Sequence, residues 1–100
     1  MKYRLHRLVQ DDVNHAMEWY DKNASEKIAD EFFDELVTTM DKVAVNPDLC
    51  HPDSVNPKLK RVNLKQYPYH FLFKIQKDHI YIVVVRHDKR HWSFGHRRKY

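Results

Sequence analysis

Apolar residues along this chain recur first at helical and then at strand spacing, and the change falls in a turn-rich stretch over residues 46–58. Val9, Val13, Ala16, Met17 and Tyr20 repeat every three or four positions, which predicts an amphipathic helix. Asp11 and Asp12 suit its first turn, where carboxylates meet the positive end of the helix dipole. Residues 21–23 interrupt the pattern. Asn23 or Ser25 can cap a second helix, Asn23 pairing with Glu26 at capping-box spacing. In that helix Ile28, Phe32, Leu36, Met40 and Val43 form one stripe, widened by Ala29, Phe33 and Val37. Glu26, Asp30, Asp34 and Asp41 lie on its other face. The helix ends before Pro47, because the residue preceding proline avoids helical angles. Both helices read as scaffold.

Strand patterns flank this pair. Residues 3–6 alternate weakly and predict a short first strand with Arg4 and His6 on one face. Pro47, Pro52 and Pro57 make 46–58 a connection within one domain. Residues 60–65 then alternate, Val62 and Leu64 inward against Arg61, Asn63 and Lys65 outward. Residues 69–76 alternate as well, with Tyr69, Phe71, Phe73 and Ile75 against His70, Leu72, Lys74 and Gln76. After a turn at 77–79, residues 80–85 are continuously apolar and β-branched, as a central strand covered on both faces should be. The fold class is therefore α+β: an N-terminal strand and a helical hairpin packed on a small curved antiparallel sheet, in the order β-α-α-β-β-β. One domain spans 1–100.

Charge divides along the same line. Residues 1–50 hold 6 Lys/Arg against 11 Asp/Glu, a net of −5, and residues 51–100 hold 12 against 3, a net of +9. Six of the eight histidines also fall in the second half. These cations are interleaved with strand formers, so they sit on a rigid sheet suited to phosphate or to an acidic partner. Period-two alternation puts Arg61, Lys65, His70 and Lys74 on one face. With Gly95 as the single glycine, a Gly-rich phosphate loop of the P-loop or Rossmann type is excluded. Cys50, the single cysteine, cannot form an internal disulfide, so a cytoplasmic location is expected. No apolar run approaches the ~20 residues of a membrane span, and no membrane association is expected. His87 and His91 have the spacing of metal ligands on a helix, but they leave a strand and no cysteine pair accompanies them. Neither a metal nor a cofactor is expected. Trp92 and Phe94 beside Arg97, Arg98 and Lys99 can stack on bases or cover the end of the core, and the second is favoured.

Three stretches carry a resemblance. They are Glu18-Trp19-Tyr20 with Phe32-Phe33-Asp34-Glu35-Leu36 and Asn46-Pro47; Arg61-Val62-Asn63-Leu64 with Tyr67-Pro68-Tyr69 and His70-Phe71-Leu72-Phe73; and His87-Asp88-Lys89-Arg90. In this succession, over about residues 3–98, the chain resembles the RelE/ParE superfamily of type II toxin–antitoxin toxins, closest to the ParE-type or plasmid-stabilisation branch. The resemblance implies a growth-inhibiting toxin neutralised by a cognate antitoxin, an acidic and partly disordered protein that reaches operator DNA itself. A ParE-like toxin would poison DNA gyrase. The alternatives are a ribosome-dependent mRNA endoribonuclease and a non-toxic, antitoxin-binding co-repressor. In the superfamily's RNases, aligning the strands without gaps puts the basic positions on Arg61, His70 and Arg90. A lysine position falls on Asn63 and a tyrosine position on His96, although Tyr100 can reach the same place. RNA cleavage would then use His70 as base, Arg61 and Arg90 as phosphate braces, and His96 or His87 as acid. A wider target-binding surface would comprise Arg61, Lys65, Lys74, Arg86, His87, Lys89, Arg90, Arg97 and Arg98. The missing lysine and tyrosine favour the gyrase reading.

Overall fold

Val9, Val13, Ala16 and Tyr20 are buried along one side of α1 (Val9–Asn23), the stripe that the spacing predicts. The computed structural model describes residues 2–100. Ser25 caps α2 (Glu26–Val45): its hydroxyl accepts the Ile28 N–H at 3.1 Å. Asn23 plays a different part, donating its side-chain amide to the Trp19 carbonyl at 2.9 Å. The buried stripe of α2 is Ala29, Phe32, Leu36, Met40, Val43 and Ala44, while Phe33 is exposed, so the face is narrower than the sequence implies. The helix stops at Val45, and Pro47–Leu49 makes a single 3₁₀ turn.

Five strands follow the order β1-β5-β4-β3-β2, with β1 at Lys2–Leu5, β2 at His51–Pro52, β3 at Lys60–Asn63, β4 at Tyr69–Ile75 and β5 at His79–His87. The three C-terminal strands β3, β4 and β5 form the expected antiparallel meander. Two features differ from the sequence reading. β1 pairs with β5 in parallel, so the sheet is mixed; β1 comes from the far end of the chain and no hairpin dictates its direction. Within the connection, His51 and Pro52 pair with Arg61 and Lys60 as a two-residue edge strand, a place where proline's missing N–H costs nothing.

The sheet has a core on each side. Phe71, Phe73, Ile80, Ile82 and Val85 face the helices. Leu59, Leu72, Val83 and Val84 form a second cluster on the other face, against which Phe94 packs. A bulge interrupts the β4–β5 register: Leu72 pairs with Val84 and Phe73 with Ile82, leaving Val83 as the additional residue. The chain after β5 folds over the second face in successive tight turns, with backbone bonds Arg90 to His87, Phe94 to His91, His96 to Ser93 and Arg98 to Gly95. Gly95 is needed there. Its φ is +81°, and a Cβ would come within 2.7 Å of Val84 Cγ2. Tyr100 finishes the wrap, its hydroxyl accepting from Asn56 Nδ2 at 2.9 Å.

Candidate functional site

Period two places His70 on the second face of β4, opposite Arg86 of β5 and Asn63 of β3. Only 1% of His70 is exposed, and both ring nitrogens are engaged. Nδ1 lies 2.8 Å from Asp88 Oδ1 and Nε2 lies 2.8 Å from Arg86 Nε. A guanidinium can only donate, so Nε2 is the acceptor and the ring is the neutral tautomer protonated at Nδ1. Burial lowers the pKa of His70, with Asp88 opposing and Arg61 and Arg86 reinforcing the shift. Arg86 is itself buried, which lowers its pKa, while the Asp53 charge works the other way. Its Nη1 donates to the Trp92 carbonyl at 2.8 Å and to the Phe94 carbonyl at 3.0 Å. The imidazole therefore anchors the guanidinium that holds the C-terminal segment.

A second internal clamp lies at the opposite edge of β5. Arg98 meets buried Asp12 through two parallel bonds, Nη1 to Oδ2 at 2.6 Å and Nη2 to Oδ1 at 2.7 Å. Asp12 Oδ2 also accepts the Val85 N–H at 3.0 Å, and Arg98 Nη1 donates to the Val83 carbonyl at 3.0 Å. β1 ends at Leu5, so beyond it these side chains satisfy backbone groups of β5 that no strand reaches. Asp12 was legible as a first-turn carboxylate but not as this hub. The available signal was its position between Val9 and Val13, on the margin of the apolar stripe.

The remaining sequence-derived positions separate. Arg61 joins His70 at Asp88, its Nη2 3.8 Å from Oδ1, and its Nε donates to Asn63 Oδ1 at 2.9 Å. Arg90 does not join them; its guanidinium lies 4.3 Å from the Phe94 ring centroid, in a groove shared with His15, Trp19 and His87. Lys74 does share the His70 face and lies 5.8 Å from the Tyr100 ring. Lys65 follows the end of β3 and lines a separate groove with Asp34 and Glu35 of α2, which breaks the co-facial set that alternation predicts. His87 accepts the Lys89 N–H on Nδ1 and leans on the Tyr69 ring. His96 packs edge-on to Trp92 at 5.1 Å. Lys89 and Arg97 are exposed.

Beside this surface, Trp19, Tyr20, Tyr67, Tyr69 and His87 line a groove of about 560 Å³, with Trp19 57% exposed. The rings meet at 5 to 6 Å, Tyr20 against both Tyr67 and Tyr69. Burial raises the Tyr20 pKa to about 12, so its hydroxyl stays protonated under ordinary conditions. Such an aromatic groove can anchor apolar side chains of a partner.

The family model described as ParE toxin of the type II toxin-antitoxin system, parDE, matches residues 3–92. The chain belongs to that family. Among solved structures, this ParE-family chain is similar to one titled "Chromosomal ParDE TA system from P. aeruginosa". The two superpose with a TM-score of 0.77 at 16% identity, over 87% of this chain and 95% of the other, which establishes a shared fold. No curated protein sequence matches the chain at a significant level. The ParE-family fold here turns Arg86 and Arg98 inward onto internal bonds and leaves Lys65, Lys89, Arg90 and Arg97 exposed. Among the described residues, no helix is long and apolar enough to cross a membrane.

Proposed function

We propose that this ParE-family protein arrests growth by poisoning DNA gyrase and is neutralised by a cognate antitoxin. The observation that carries this over RNA cleavage is the state of His70. A base for a 2′-hydroxyl needs a free lone pair facing the substrate, and the lone pair on Nε2 already accepts from Arg86. Burial lowers the affinity of that ring for a proton in the same direction. Asn63, at the position aligned with a catalytic lysine, accepts from Arg61. The antitoxin reading is supported by complementary chemistry. Exposed Lys89 and Arg90 suit an acidic segment, and the Trp19–Tyr69 groove suits its apolar anchors. Operator DNA would be reached through the antitoxin, and the setting is the cytoplasm, where gyrase works.

The test is a cleavage assay with purified gyrase, ATP and supercoiled plasmid. The expected result is linear DNA released on denaturation and proteolysis, suppressed when antitoxin is added. Unaffected gyrase together with mRNA cut on ribosomes in a cell-free translation mixture would overturn the proposal in favour of the endoribonuclease. Inactivity in both assays would overturn it in favour of the co-repressor.

A further inference from the structure

The C-terminal turns and the loop after β1 line a groove of about 1000 Å³, with Arg98, already paired with Asp12, forming part of its wall. Arg7, His96, Arg97 and Lys99 line it and are exposed, and among the described residues no aspartate or glutamate contributes to its wall. His6, at its base, has its pKa lowered by burial and then by the charges of Arg98 and Arg7, with Asp12 behind the wall opposing the shift. At its rim stands Trp92, 44% exposed, with imidazoles as ring neighbours: His91 at 5.3 Å and His96 at 5.1 Å. The backbone beneath is held by four consecutive turn bonds and by Arg86 on the Trp92 and Phe94 carbonyls. The groove is thus presented on a fixed frame.

We infer that this groove is a binding site for single-stranded nucleic acid, with Arg7, Arg97 and Lys99 on phosphates and Trp92 against an unpaired base. A cationic wall without carboxylates matches any polyanion. The exposed indole separates the candidates: a run of acidic residues alone would satisfy the cations and leave Trp92 uncovered, whereas every unit of a nucleotide strand carries both a phosphate and a flat ring. Duplex DNA offers phosphates but keeps its bases paired. The site does not rest on the gyrase reading, and its test uses no gyrase.

The experiment is fluorescence polarisation of a labelled single-stranded oligonucleotide with the full-length protein across a salt series. Three phosphate contacts give a slope of log K against log salt of about −2, and removing two of them in Arg97→Ala/Lys99→Ala brings it to about −0.7. Trp92→Ala should bind about tenfold more weakly, with Trp92→Phe retaining most of the affinity. Circular dichroism establishes that each variant is folded. Absence of binding at low salt, an unchanged affinity in Trp92→Ala, or duplex binding as tight as single strand would overturn the inference. So would displacement by a polyglutamate peptide as effective as by unlabelled oligonucleotide.

Discussion

Asp12 accepts from a guanidinium and from a strand amide at once, and both partners lose when it is removed. Asp12→Ala leaves the Arg98 charge buried without its counter-ion and the Val85 N–H unsatisfied. Loss of one member of a buried pair costs about 3–5 kcal/mol. A urea titration should show a lower midpoint by that equivalent, and a midpoint within error of the parent would refute the role. His70 makes a different prediction, about acid. Its folded pKa lies below the ordinary value, so below about pH 6.5 the unfolded chain takes a proton that the folded ring refuses. Stability is then fully present above that pH and falls as pH drops through it. The ring is faced by Asp88, Arg61 and Arg86, with Asp53 beyond Arg86. Buried His6 adds a loss of the same sign. His70→Gln keeps a donor and an acceptor but cannot titrate, so its urea midpoint should fall less steeply between about pH 7.5 and pH 5.5. Identical pH slopes would show that His70 carries none of the effect.

At the scale of elements, the helices were readable because a single apolar stripe has one geometric solution, whereas the C-terminal segment has no periodicity. Residues 88–100 are held by turn bonds and by carbonyls that buried Arg86 reaches, and neither leaves a pattern in the sequence. The parallel pairing of β1 was equally silent, since alternation specifies a strand's faces but not its neighbour. Within the segment, Gly95 is the residue whose identity the backbone dictates, through its positive φ and its approach to Val84. Gly95→Ala must either push Val84 or release the turn, at about 1–3 kcal/mol. The expected outcome is faster tryptic cleavage at Arg97 and Arg98, with the remainder of the domain intact. Equal cleavage rates in parent and variant would contradict the packing described.

Across the whole molecule, the split of charge between the two halves of the sequence survives folding, but its meaning changes. Composition counts every arginine alike, and the fold does not. Arg86 and Arg98 turn inward because carboxylate, imidazole and carbonyl acceptors wait for them, a convergence of distant residues that linear spacing does not encode. Alternation correctly grouped Arg61 with His70 and Lys74, and it failed at Lys65 because the strand had already ended. The aromatic groove draws on Trp19 and Tyr20 of α1 and on Tyr67 and Tyr69 far along the chain, so it too exists only after folding.

The edge of β5 past Leu5 is closed by two side chains where most sheets would add another strand. Val83, Val84 and Val85 form the kind of β-branched stretch from which intermolecular cross-β stacks grow once a lateral edge is bared. Asp12 and Arg98 therefore cover a lateral edge that would otherwise be open to pairing with the strand of another molecule.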